Sequence, residues 1–147
     1  MLAILKKHII PLAIVFLSVL SSYAQQMKSL LHKELIVNVA TMCEETSDDN
    51  DCIGSELYIV LYFETKQVTI SELEADSCNK ESRYKIGTYP WSLAQNNVIK
   101  IESLFKKLPQ SGVKILSLEL KDSQIIGNIQ YLNGKTEQPT FYKKPTN

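Results

Sequence analysis

The stretch Tyr84–Ile101, YKIGTYPWSLAQNNVIKI, reads as a β-hairpin and carries the only tryptophan of the chain. Alternation places Trp91 and Leu93 on one face of its first strand and Ile99 and Ile101 on one face of its second. Gln95-Asn96-Asn97 supplies residues that tolerate the turn between them. The apolar face of this hairpin belongs to a core. Pro90 cannot donate to a strand ladder, so it marks a bulge or kink, and Gly87 three residues earlier suits the same local bend.

Working outward, the chain from Lys33 onward is a succession of short runs with Val, Ile, Tyr and Thr where a pleated surface favours them. Eight runs are expected: Lys33–Thr41, Glu56–Glu64, Gln67–Leu73, Tyr84–Leu93, Val98–Glu102, Val113–Lys121, Gln124–Tyr131 and Lys135–Lys143. Only Gln25–Leu31 and Ser103–Leu108 have helical character. Asn133-Gly134 is the clearest hairpin signal, and Thr65-Lys66 and Asp122-Ser123 are short enough to join antiparallel neighbours directly. If consecutive strands are neighbours, these tight turns fall at one end of the sheet. The long connections Met42–Ser55, Glu74–Arg83 and Ser103–Gly112 fall at the other end, where binding surfaces usually sit. The expected fold is all-β, an eight-stranded antiparallel meander closed into an up-and-down barrel, with a half-open β-sandwich as the alternative.

Residues 1–24 read as a secretory signal peptide. Lys6, Lys7 and His8 are a positive start, Ile9–Leu20 is the apolar run, and Ser22-Tyr23-Ala24 is a small-x-small cleavage site. An apolar run of about a dozen residues is short of the roughly 20 that a spanning helix needs, so no membrane insertion is expected after cleavage. The expected location is exported, in the periplasm or outside the cell. Residues 25–147 then form one domain. Losing Lys6 and Lys7 leaves 14 basic and 16 acidic side chains, a net of −2, which gives a nucleic-acid partner nothing to gain. Gln25–Ser82 carries 12 acids against 4 bases, and Arg83–Asn147 carries 4 acids against 10 bases. Two halves of one wall that complement each other account for this asymmetry; a dipolar docking surface is the sharper reading.

Three cysteines, Cys43, Cys52 and Cys78, fall at the long-loop end. In an exported protein a disulfide is the default, and Cys43–Cys52 is the favoured pairing, although the topology permits all three pairs. No metal site is expected, because the cysteine spacing lacks the close pairs of structural zinc sites. The acidic run Glu44–Asp51 lacks the turn glycine of an EF-hand loop. His32 is the only histidine left after cleavage, and no G-x-S-x-G elbow or cofactor motif accompanies it. No catalytic residue, enzyme activity or cofactor is therefore expected. The second run is apolar on both faces, Leu57, Ile59, Leu61 and Phe63 on one and Tyr58, Val60 and Tyr62 on the other. Either its outer face is covered or a partner docks there.

The short exported chain, the eight-strand meander, Gly87-Thr88-Tyr89-Pro90-Trp91 with Asn96-Asn97 at its turn, and Leu116-Ser117-Leu118-Glu119-Leu120 resemble the small bacterial lipocalin-like, calycin-type domains. True lipocalins carry Gly-x-Trp on their first strand, whereas here Gly87 and Trp91 are four apart on the fourth run. The resemblance implies a non-enzymatic binding module of the cell envelope that takes a small apolar ligand or a protein partner at its long-loop end. Tyr89, Trp91 and Phe63 are then the candidate ligand-binding residues. The alternative is an envelope interaction or inhibitor protein that uses the acidic 42–55 loop and holds no ligand cavity.

Overall fold

The structure is a computed structural model, and it describes residues 28–44, 53–78, 80–94, 96–101 and 108–145. Residues up to Leu31 form one unit and His32–Asn147 a second, which holds the whole sheet. The expected signal segment, most of the acidic loop with Cys52, and all but Leu108 of the expected helix at 103–108 lie outside the described residues. Among those described, Lys28–Leu30 is one helical turn, and no helix is long and apolar enough to cross a membrane.

The expected runs are strands: β1 (Glu34–Glu44), β2 (Ile53–Phe63), β3 (Gln67–Asp76), β4 (Glu81–Leu93), β5 (Val98–Ile101), β6 (Lys114–Lys121), β7 (Gln124–Gln130), β8 (Thr136–Glu137) and β9 (Thr140–Lys143). β8 and β9 are two pieces of the eighth run, parted at Gln138-Pro139 because proline has no N–H for the ladder. Every pairing is antiparallel. β9 returns to β1, so an eight-stranded up-and-down barrel closes as the meander predicts.

The turns obey their local chemistry. Asp122 and Ser123 both have positive φ, 50° and 63°, as a two-residue hairpin loop with the primed twist requires. Asn97 takes φ 61° in the β4–β5 turn, where the amide of Ala94 donates to Val98 O at 2.9 Å. In that hairpin Trp91 lies opposite Ile101 and Leu93 opposite Ile99, as the alternation implies. Pro90 departs from expectation. It sits in regular pairing opposite Gln67, and the bulge falls four residues earlier, at Ile86 between the paired Lys85 and Gly87. The Trp91 amide points toward the β2–β3 turn, donating to Lys66 O at 3.2 Å, so the neighbouring Pro90 faces the other way and interrupts no bond to β3.

The interior is filled by alternate residues of every long strand, among them Ile59, Leu61, Phe63, Val68, Ile70, Leu118, Leu120, Ile125, Ile129 and Phe141, all at most 2% exposed. A second, smaller core lies on the opposite face of the same sheet. Ile36, Val60 and Leu73, neighbours of inward-facing residues and therefore outward, are 4%, 1% and 2% exposed and pack together with Tyr58 against them. This cluster answers the double apolarity of β2. Two ion pairs, Arg83–Glu34 at 2.5 Å and Lys144–Glu81 at 2.6 Å, join β4 to β1 and to the segment after β9. Two strands separate β4 from β1, so the sheet must coil strongly here to bring these side chains together.

The closure is uneven along the strands. β4 pairs with β5 only over Trp91–Leu93, and β1 pairs with β9 only through Leu35 and Ile36. The rest of β1–β4 runs on beyond these pairings, and the connection expected to be long over Glu74–Arg83 is instead the four-residue connection 77–80, because β3 and β4 stay paired up to Asp76 and Glu81.

Candidate functional site

The residue that organises the long-loop end is Glu72. On β3 the inward positions run Val68, Ile70, Glu72, and the register places Glu72 between Ile59 of β2 and Tyr84 of β4. It is 1% exposed, a carboxylate where the pattern calls for a hydrophobic residue. A buried charge persists only when its lone pairs are satisfied. Here the amide of Gln110 donates to Oε2 at 2.9 Å, and Ser111 donates to Oε1 from its amide at 2.7 Å and its hydroxyl at 2.6 Å.

These donors belong to a turn built by its own sequence. The Leu108 amide donates to Val113 O and the Gly112 amide to Leu108 O, both at 2.8 Å. Gly112 has φ +65°, and a Cβ there would lie 2.7 Å from Leu132 Cδ1, so the position favours glycine on two counts. Buried Leu108 and Val113 anchor the turn on either side. Glu72 thus holds the end of the β5–β6 connection against the barrel as a charge-assisted latch. No cluster of three metal-ligating side chains occurs among the described residues.

Beside the latch is a half-open cleft of about 190 Å³, lined by Leu57, Glu72, Glu74, Ser82, Arg83, Tyr84 and Gln110. Arg83 is already engaged: both of its terminal nitrogens donate to Glu34, at 2.5 and 3.1 Å. The guanidinium draws the Glu34 carboxyl below its usual range, chiefly through that hydrogen bond, and burial opposes the shift. Met42 and Tyr84, 49% and 50% exposed on the far stretches of β1 and β4, and Leu132, 70% exposed beside Gly112, leave apolar surface at this end, whereas Tyr142, 46% exposed, lies on β9 opposite Ile36.

Phe63, Trp91 and Tyr89 lie at the other end. Phe63 is fully buried and Trp91 8% exposed, their ring centroids 4.9 Å apart in an edge-to-face contact. The Trp91 indole donates to Glu64 O at 2.8 Å, which satisfies its one polar atom. Tyr89 is half-buried across Val68 from Phe63, and its ring covers Gly87, where a Cβ would meet the Tyr89 hydroxyl at 2.6 Å. The structure therefore brings the three aromatic residues together, next to the tight Thr65-Lys66 turn and away from the long loops.

Cys43 and Cys78 do fall at the long-loop end, and both are exposed and unbridged. The register explains why they do not pair. Cys43 lies opposite Gly54, and the Ser77 amide donates to Gly54 O from the far side, so β2 separates the two cysteines. Cysteines two strand spacings apart, roughly 10 Å, are beyond the Cα separation that a disulfide spans. His32, the one histidine among the described residues, is exposed with φ 58° and donates its amide to Phe63 O at 2.8 Å.

No protein-family model matches this chain, and neither curated proteins nor solved structures give a significant match. Of the lipocalin-like resemblance, the closed eight-stranded antiparallel barrel is what the structure carries.

Sequence reasoning singled out the aromatic residues and the cysteines but gave Glu72 no structural role. The signal was present: on β3 an acid occupies the third place of an inward series that begins Val68, Ile70. What the sequence does not display is the donor set, because Gln110 and Ser111 stand 38 and 39 residues away.

Proposed function

We propose that this protein is an exported, non-enzymatic binding module of the cell envelope that engages a protein partner through its long-loop end. The observation that carries this reading is the contrast between the two ends. At the tight-turn end, Phe63 and Trp91 pack against each other and leave their space to no guest. At the long-loop end, the cleft beside Glu72 holds about 190 Å³, below the roughly 300 Å³ at which small-molecule pockets begin. Its lining residues are mostly polar or charged in type but present more apolar than polar surface to the cleft, and exposed Met42, Tyr84 and Leu132 add the apolar contacts that protein interfaces favour. The strands that flank the acidic 42–55 run, β1 and β2, end here, and the run carries charge for steering. A larger groove of about 460 Å³ runs along the outside of β6 and β7, but Asn97, Ser117, Glu119, Lys121, Asn128 and Gln138 make it too polar for an apolar ligand. The reading includes cleavage before Gln25 and leaves a disulfide only to pairings that involve Cys52.

Two measurements on the processed protein test it. A photo-cross-linking residue at Tyr84 should trap a discrete envelope protein in cells, while the same residue at Asp122, on the tight-turn end, should trap none. Titration with the apolar probe 1-N-phenylnaphthylamine should give no saturable quenching of Trp91. One-to-one saturable quenching would replace the protein partner with an apolar ligand. Adducts formed equally from both positions would remove the long-loop end as the site. A mature chain still beginning at Met1 would end the export argument.

A further inference from the structure

We propose that the edge of β4 over Glu81–Lys85, which no described strand pairs, pairs antiparallel with the same edge of a second copy, giving a two-fold symmetric dimer. The backbone directions single out this edge. The Asp76 amide donates to Lys80 O at 3.0 Å, so Lys80, Ser82 and Tyr84 turn their peptide groups toward β3, and Glu81, Arg83 and Lys85 turn theirs away. β4 meets β5 only from Trp91 onward, so among the described residues no strand receives those outward groups. All five side chains from Glu81 to Lys85 are exposed. A long unpaired edge is a template for another strand.

Charge selects the occupant. With the two-fold axis at Arg83, Glu81 of each copy lies opposite Lys85 of the other, and the three outward pairs exchange about six backbone hydrogen bonds. Lys85 has no ion-pair partner within the described chain and gains one in Glu81 of the other copy, which already holds Lys144 on Oε2 at 2.6 Å and keeps Oε1 for it. Arg83 meets its own copy, but each guanidinium is already neutralised by Glu34 at 2.5 Å. On the other face of the strand Ser82 lies opposite Tyr84 of the second copy, so the half-exposed Tyr84 ring gains a neighbour in the closer, non-hydrogen-bonded type of pair. An edge of this kind is self-complementary, as an isologous interface must be. The dimer edge shares Ser82, Arg83 and Tyr84 with the cleft at the long-loop end, so a cross-link from Tyr84 to a second copy of the chain reports the dimer, and one to a different protein reports the partner.

Sedimentation equilibrium of the processed chain, in reducing buffer at low salt, should show a reversible monomer–dimer equilibrium. Lys85→Glu sets two like-charge pairs across the axis and should weaken association about tenfold. Glu81→Lys combined with Lys85→Glu should recover it. In the wild type, hydrogen exchange at the amides of Arg83 and Lys85 should slow as concentration rises, without the same change at Thr41 on β1; this measurement needs no variant to fold. A chain monomeric at every concentration, a dimer indifferent to Lys85→Glu, a double variant as weak as the single, or concentration-independent exchange at Arg83 and Lys85 would each overturn the proposal.

Discussion

Replacing Glu72 with glutamine removes one charge and almost no volume, so it isolates the latch. In the wild type Oε1 accepts two hydrogen bonds from Ser111 and Oε2 accepts one from Gln110. The amide of Glu72→Gln can keep its carbonyl toward Ser111, but its NH₂ then faces the Gln110 amide, donor against donor. The variant loses one hydrogen bond outright and the charge assistance of two others. Hydrogen bonds to charged groups contribute about 1.5–3 kcal/mol, and relief from burying the charge offsets part of the loss. The expected net cost is about 2 kcal/mol, which for a domain of this size lowers Tm by roughly 8 °C. Urea unfolding followed by Trp91 emission measures the global loss, and hydrogen exchange at Gln110 and Ser111 measures the local one. Glu72→Leu adds a diagnostic: an apolar side chain suits the barrel interior but offers the turn no acceptor. It should therefore free the Ser111 amide while the barrel stays folded. Glu72→Gln within about 0.5 kcal/mol of wild type, with Ser111 exchange unchanged, would refute the latch, since such a loss is the size expected of an ordinary surface substitution.

Trp91→Ala should cost about 3–5 kcal/mol, because it removes a buried ring, its contact with Phe63 and the bond to Glu64 O; a loss below about 1 kcal/mol in urea unfolding would contradict that packing. Absorbance at 295 nm should show two tyrosines ionising late. Tyr58 is pushed up to about 12, first by donating to Glu56 at 2.5 Å and then by burial, and Tyr131 to about 12, first by burial and then by donating to Glu137. Both pKa values are raised on folding, so their contribution to stability is fully present below about pH 10 and is lost as pH rises toward 12; all tyrosines titrating together near 10 would contradict these contacts. Alkylation of the native protein without reductant should modify at least one of Cys43 and Cys78 rapidly, since only Cys52 is placed to bridge the other, and protection of both would indicate a bridge between them that the register forbids.

The architecture was legible in the sequence because a barrel strand turns one face to a core and the other to solvent, and that alternation is written residue by residue. Trp91 with Leu93, Ile99 with Ile101, and the turns at Asn97, Asp122-Ser123 and Gly134 carry their geometry in nearest neighbours, so the meander could be traced before any coordinate. The Ile86 bulge was misread at Pro90, because a proline disrupts only the ladder toward which its nitrogen points, and that direction depends on which strand lies on each side. The Ile36–Val60–Leu73 core joins three strands, and the alternation of β2 announced only that its outer face was apolar. Glu72 is the fullest case. Its inward position follows from the pattern of β3, but the donors that let a carboxylate remain there come from a turn nearly 40 residues on, brought to it by barrel closure. Short-range periodicity determines which face a residue takes; only the tertiary structure decides what meets it there, because hydrogen bonds and ion pairs form between groups whose separation along the chain bears no relation to their distance in space.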